Sequence, residues 1–272
     1  MDVPGFAIVT GAASGIGKQC AIAFVREGAA GVALLDVNYE ALKEVKVEIE
    51  QMLLGLNHAK ACQIEAFGIS VTDEALVNET ITTIATKFGR IDYVVNAAGI
   101  TIKHEEGAVF ASTTDWQKVI DVNLTGTFLV LRASARIMLK QERLRSSLDG
   151  RELQRGSIVN VGSIMSIVGK AMSTGYVASK HGVLGLTRTA SEDYAAKGLR
   201  INTICPGYVQ TPMTLGDPKA VKATQEIVDH KVPMKRLGTP NEIADSVLFL
   251  AGGRSSFVTG FALCVDGGYT ER

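Results

Sequence analysis

The chain has 272 residues, a formal net charge of zero, 46% hydrophobic and 21% charged residues. That length suits one large α/β domain with a substantial core, and the absence of lysine or arginine runs excludes electrostatic capture of nucleic acid or of an anionic membrane as its main business. No stretch approaches the roughly eighteen continuous apolar residues of a membrane span, and the opening MDVPGFAIVTG lacks the basic segment of a signal peptide.

Short apolar, β-branched runs alternate with longer helical patterns. Phe6–Thr10 (FAIVT) is the first expected strand, and VTGAASGIG follows it into a helix over Ile16–Arg26. Gly11, Gly15 and Gly17 are spaced Gly-x-x-x-Gly-x-Gly, with Ser14 and Ile16 inside the same turn. Glycines there permit a tight turn and close backbone approach to a pyrophosphate, while the helix N-terminus offers unpaired N–H groups. Val32–Asp36 (VALLD) reads as the second strand. Its last residue, Asp36, stands about twenty residues on, where an acid accepts hydrogen bonds from the adenosine ribose and repels a 2′-phosphate. Ser14, Val37 and Asn38 around it are uncharged, so the expected cofactor is NAD and not NADP. The competing reading is that Asp36 caps the next helix.

That helix is expected over Tyr39–Leu54, with a strand around Ala59–Phe67 and a helix over Asp73–Phe88. Tyr93–Asn96 (YVVN) reads as a strand, Trp116–Lys140 as one long helix, and Lys140–Gly156 as a charged, solvated extension. Ser157–Val161 (SIVNV) is the next strand, Tyr176–Ala196 a helix, and Ile201–Ile204 a strand. Thr211–Gly238 follows that strand end, where open α/β sheets place ligand-facing loops. Glu242–Ala251 reads as the last helix and Ala262–Val265 (ALCV) as the last strand. Strand–helix alternation of this kind gives a doubly wound, mostly parallel α/β sheet with helices on both faces, here as a single domain over residues 1–272. Cys20, Cys62, Cys205 and Cys264 are scattered without metal-ligand spacing, which points to reduced thiols in a cytoplasmic protein and to no metal.

With TGAASGIG, NAAG (Asn96–Gly99), VNLTG (Val122–Gly126), YVASK (Tyr176–Lys180) and CPGYVQTPM (Cys205–Met213) in this order, nearly the whole chain resembles the short-chain dehydrogenase/reductase family. The resemblance implies a Rossmann-like domain, a nicotinamide cofactor and chemistry at a carbonyl or alcohol carbon. It places an active-site tetrad on Asn123, Ser163, Tyr176 and Lys180. Gly162 stands where many relatives have a first of two serines, and Ser166 is a second candidate for the serine role. It places the cofactor along Gly11, Ser14, Gly15, Ile16, Gly17, Asp36, Val37, Ser70, Val71, Asn96, Ala97, Gly99, Pro206, Gly207, Val209 and Thr211, as well as Tyr176 and Lys180. Ser70 stands where many relatives carry an aspartate for adenine. Thr10 and Asn96 are equally placed to tie strands together.

The chemistry expected of this set follows from ordinary acid–base physics. A phenol with a pKa near 10 is a poor base at neutral pH, but a cation within about 4–6 Å favours phenolate. Helical i, i+4 spacing brings Lys180 alongside Tyr176. The phenol then takes a proton from an alcohol or returns it to a ketone, with Ser163 holding the substrate oxygen. Asn123, by resemblance, sits at a helix irregularity whose main chain holds a water linking Lys180 to solvent. Met165, Ile167, Met172, Met213 and Leu215 suggest an apolar pocket for a lipophilic alcohol or ketone, bounded by residues 164–172 and 101–110 and closed by residues 211–238 as a lid. His104 and His181 are solitary and read as ordinary histidines. Two other readings stand beside this one: an NADPH-dependent 3-oxoacyl thioester reductase and a catalytically silent cofactor-binding scaffold. The resemblance further implies a homotetramer paired through the helices Trp116–Lys140 and Tyr176–Ala196 and through Phe261–Tyr269.

Overall fold

The computed structural model describes residues 1–55, 62–216 and 218–271. Its strands are β1 (Phe6–Thr10), β2 (Gly31–Asp36), β3 (Gln63–Gly68), β4 (Tyr93–Asn96), β5 (Gly156–Val161), β6 (Leu199–Pro206) and β7 (Ala262–Val265). They form one sheet in the order β3–β2–β1–β4–β5–β6–β7, every neighbouring pair parallel. The strand expected around residues 59–67 is β3; positions 59–61 of that reading lie outside the described residues.

Alternate side chains of these strands feed two separate cores, as a sheet covered on both faces requires. Ala7, Val9, Val32, Leu34, Tyr93, Val95 and Val159 pack on one side with Phe24 of α1 (Gly15–Arg26), Leu42 and Ile49 of α2 (Tyr39–Gly55) and Val247 of α9 (Pro240–Ala251). Ile8, Ala33, Leu35, Val94, Ile158 and Ile201 pack on the other with α3 (Glu74–Phe88), α5 (Gly126–Met138) and α6 (Thr174–Tyr194). The order reverses between β1 and β4, which opens a crevice at the C-terminal ends of the strands.

The long helix expected over 116–140 is two helices, α4 (Thr113–Ile120) and α5, joined without a break in helical backbone by a π-turn over Asp121–Thr125. Thr211–Gly238, expected as loop, instead contains α7 (Pro212–Leu215) and α8 (Pro218–Lys231). Lys140–Gly156 is not simply a solvated extension: Leu153 and Gln154 are buried, and Asp2 Oδ1 accepts bonds from the Ser147 amide (2.9 Å) and hydroxyl (2.7 Å). Its buried stretch lies beside Arg200 of β6, whose guanidinium donates to the α9 C-terminal carbonyls of Leu250, Ala251 and Gly252 and holds that helix end against the sheet. No described helix is long and apolar enough to cross a membrane.

Candidate active site

The crevice is a cleft of about 590 Å³ running along the strand ends. On the β1 side, Gly11 has φ +66°, and a Cβ there would stand 2.8 Å from the Ala98 amide nitrogen; a Cβ on Gly17 would run into the Gly11 carbonyl oxygen. The turn must therefore be bare backbone at these points. Ser14 is the N-cap of α1 but its side chain makes no cap bond, leaving the first-turn N–H groups open to the cleft. Thr211 Cγ2 would lie 3.4 Å from a Cβ on Gly15, so the loop after β6 closes directly over the glycine turn.

Asp36, at the end of β2, accepts from the Ala13 amide through Oδ2 (3.1 Å) and from the Asn38 amide through Oδ1 (2.9 Å). It braces the glycine turn while lining the cleft. The α2 cap is Asn38, whose Oδ1 accepts from the Ala41 amide, so Asp36 is not the helix cap. Val37, Ser70 and Val71 line the same end, and no lysine or arginine among the described residues lines it with them. The Ser70 hydroxyl is shared with Thr72 at 2.8 Å. Bare backbone, open amides and an acid at the second strand end are together what a dinucleotide requires, and the residues present fit one.

Ala97, Gly99, Pro206, Gly207 and Val209 also line the cleft, whereas Asn96 does not. It is buried beneath the floor, with Nδ2 donating to Asn160 Oδ1 at 2.9 Å. Its side chain makes a strand tie, one of the two roles expected of it. Thr10 is likewise a tie, its Oγ1 accepting from the Ala97 and Ala98 amides (3.0 and 3.1 Å). Asn160 donates in turn to Thr187 Oγ1 (2.9 Å), which also accepts from Thr203 (2.7 Å). This buried chain from β4 through β5 to α6 and β6 fixes the helix that carries Tyr176 and Lys180.

Ser163, Tyr176 and Lys180 converge on the cleft. Ser163 follows β5 and caps a short 3₁₀ turn over Ile164–Ser166, its Oγ accepting from the Met165 amide at 3.1 Å. Ser166 is buried off the cleft and supports that turn, its Oγ accepting from the Ser163 amide at 3.2 Å. The departure at Gly162 has a steric cause: a Cβ there would stand 2.7 Å from Thr203 Cγ2 and 2.8 Å from Ser166 Oγ. Gly162 and Ser166 are one packing solution.

Tyr176 is half-buried, and Lys180 Nζ lies 5.7 Å from its ring centroid. Lys180 is 5% exposed; its ammonium donates to the Val161 carbonyl at 2.7 Å, and burial lowers its pKa to about 8. The Tyr176 phenol is raised above its ordinary value by burial, an effect opposed by hydrogen bonding to Ser163. Burial penalises phenolate and ammonium alike, and the Ser163 hydrogen bond is the counterweight on the phenol.

Asn123 sits in the π-turn, so the irregularity expected there is present, but its side chain is fully buried. Oδ1 accepts from the Ile100 amide (2.8 Å), while Nδ2 donates to the Ile100 carbonyl (2.9 Å) and to Ser179 Oγ (3.0 Å). Its main-chain oxygen accepts from Thr127 Oγ1 at 2.7 Å. It clamps the loop after β4 to α6 from beneath the cleft.

Of the pocket residues expected from the sequence, Met165 and Met213 line the cleft; Ile167, Met172 and Leu215 do not and are partly exposed. Lys103, Lys118, Lys170 and Tyr208 line it as well; Lys103 and Lys170 fall in the two segments expected to bound the pocket, but their charge was not part of that expectation. They come from separate loops and helices, and no local pattern joins them.

A family model described as Enoyl-(Acyl carrier protein) reductase matches residues 11–270. The chain is 40% identical to the short-chain dehydrogenase fogB of Aspergillus ruber, over 99% of this chain and 98% of that one. It is 37% identical to the 3-oxoacyl-[acyl-carrier-protein] reductase FabG of Thermotoga maritima, over 96% of each. Among solved structures, levodione reductase superimposes with a TM-score of 0.85 at 32% identity, over 98% of both chains. The chain belongs to the short-chain dehydrogenase/reductase family.

Proposed function

We propose that this chain is an NAD(H)-dependent oxidoreductase interconverting a secondary alcohol and a ketone on a lipophilic small molecule. The observation that carries the reading is the convergence of Ser163, Tyr176 and a buried Lys180 on one cleft beside a glycine turn. When bound, the nicotinamide dinucleotide supplies the hydride acceptor or donor and, oxidised, a positive ring that favours phenolate. Gly11, Ser14, Gly15, Ile16 and Gly17 would hold its pyrophosphate, Asp36 its adenosine ribose, Val37, Ser70 and Val71 its adenine. Gly99, Pro206, Gly207, Val209 and Thr211 would line the nicotinamide side.

Tyr176 Oη takes the alcohol proton or returns it to the ketone oxygen, and Ser163 Oγ donates to that oxygen as charge develops. Lys180 supports the phenolate electrostatically, and Asn123 acts as a positioning residue for α6. Residues 211–238, with α7 and α8, would cover the substrate. The groove between α5 and α6, where Phe128, Leu131, Leu186 and Tyr194 lie beside Arg132, Arg136 and Asp193, and the exposed Phe257 and Phe261 support assembly as a homotetramer, which sedimentation of a monomer would overturn. A cytoplasmic setting agrees with four unpaired cysteines.

Steady-state kinetics with secondary alcohols and ketones tests the reading. NAD(H) should support turnover and NADP(H) much less, and Tyr176→Phe should lower kcat by about 10³-fold with cofactor affinity kept. Near-normal turnover in that variant sinks the assignment. The relative named as a 3-oxoacyl reductase supports the alternative of thioester reduction. Asp36 favours the first reading, because its carboxylate, with no lysine or arginine lining that end among the described residues, opposes a 2′-phosphate.

A further inference from the structure

Among the described residues, three lysines line the cleft beyond the buried Lys180, and the one carboxylate lining it, Asp36, lies at the β2 end. Two of them, Lys103 and Lys170, belong to neighbouring loops, one after β4 and one between the 3₁₀ turn and α6. The loops are clipped together by the His104 amide, which donates to the Met172 carbonyl at 3.0 Å. Met172 adopts a left-handed backbone, φ +60°, that a side-chain-bearing residue reaches only at a cost. Lys170 is half-buried, its Nζ 5.1 Å from the Tyr208 ring centroid, and Tyr208 packs edge-on against Tyr269 at 5.7 Å. Among the described residues neither Lys103 nor Lys170 forms an ion pair, and Glu105 and Glu106 on the same loop are exposed and off the cleft.

Two neighbouring ammonium groups without a counter-charge repel one another. Burial, first, and the charge of Lys103, second, hold the Lys170 ammonium below the ordinary lysine range. A solvated surface lysine would turn outward to water; Lys170 instead lies over an aromatic ring at a cleft wall. Ile100, Ile164, Met165 and Met213 give the cleft apolar wall, while Thr101 and Ser173, close in sequence to the two lysines, add polar lining.

Resting on the alcohol–ketone reading above, we infer that the substrate is an amphiphilic hydroxy- or oxo-carboxylic acid. Its apolar body lies along Ile164 and Met165, and its carboxylate sits between Lys103 and Lys170. A carboxylate there is anchored by two charge-assisted hydrogen bonds in a partly desolvated site. Lys170, the more buried of the two, is the main specificity determinant; Lys103, exposed, adds attraction that salt screens.

The test compares a hydroxy acid with its own methyl ester, 3-hydroxyoctanoate being one pair and 4-oxo-4-phenylbutanoate the other in the reverse direction. Wild type should favour acid over ester in kcat/KM by about tenfold at low salt, the scale of one good charged contact. In Lys170→Met that ratio should collapse toward one, through KM of the acid, and in Lys170→Arg it should persist. Calorimetric titration of the acid onto wild type and Lys170→Met reads the anion contact without turnover. Binding that depends on Lys170 in a chain that oxidises no alcohol upholds the anion site and overturns the reaction assigned above. Turnover with equal acid and ester kcat/KM, or an acid-to-ester ratio unmoved by Lys170→Met, overturns the anion site and leaves the reaction standing.

Discussion

The two ends of the cleft are built by different means. The β1–β2–β3 end is backbone: a glycine turn that tolerates no Cβ at Gly11 or Gly17, open amides, and one carboxylate tied to that turn by a 3.1 Å bond. The β4–β6 end is side chains, delivered by separate loops and held from beneath by Asn96, Asn160, Thr187, Thr203 and Asn123. A backbone cradle serves a constant ligand, and a side-chain pocket can change with the substrate. The first end should therefore fail abruptly when altered, and the second should fail by degrees and be open to repair.

The largest expected effect is at the backbone end. Gly17→Ala drives a methyl group into the Gly11 carbonyl oxygen, a fixed neighbour and not a flexible side chain. Relief requires moving α1 or the turn, and the expected loss is about 3 kcal/mol of stability, from the upper range for overpacking. Cofactor affinity should fall about hundredfold in the same variant, since the N–H groups no longer converge. Urea unfolding and fluorescence titration with NADH check both, and a variant that binds NADH normally would show that the cradle is more plastic than its contacts imply.

A smaller and repairable effect belongs to the other end. Gly162→Ser restores the serine that many relatives have, yet meets Thr203 Cγ2 and Ser166 Oγ. The expected cost is about 2 kcal/mol. Adding Ser166→Gly should return most of it, because one of the two obstructing side chains is then gone and the pair is coupled. Thermal unfolding of the single and double variants measures the coupling; additive losses would mean that Gly162 and Ser166 are independent.

The same contrast explains what could be read in the chain. Gly11, Gly15, Gly17 and Asp36 lie within one β–α–β unit, so spacing alone carries their meaning. Strand runs buried on both faces were equally legible, since continuous apolar residues such as VALLD leave few alternatives. By contrast, α8 has Val228 as its single fully buried apolar residue among the described ones and opens on a proline, so its amphipathic signal is faint. Asn96 was legible as a strand-end residue but not as a tie to Asn160, which depends on the pairing of β4 with β5. Lys103 and Lys170 lie in the two segments expected to bound the pocket, but their pairing was not legible, because only the clip between His104 and Met172 makes them neighbours.

The smallest effect concerns the electrostatics that the two ends share at Lys180. Burial holds its ammonium at about 8, against an ordinary value of 10.5. Between those values the unfolded chain binds more protons than the folded one, so this residue's contribution to stability improves as pH rises. Below pH 8 the folded protein carries the full burden of a desolvated ammonium; above it, that burden is progressively removed. From about pH 7 to pH 9 the shift corresponds to roughly 1 kcal/mol gained by wild type. Lys180→Met carries no such group, so the stability difference between the two proteins should move by that amount in favour of wild type. Cys20 titrates alike in both proteins, and Cys205 and Tyr176, which lose a neighbouring cation in the variant, are raised by burial above this window and stay protonated in both folded states, so the difference reads Lys180. A difference that stays flat across this window would mean that water reaches Lys180, and that the side-chain end of the cleft is less enclosed than the Val161 carbonyl bond makes it.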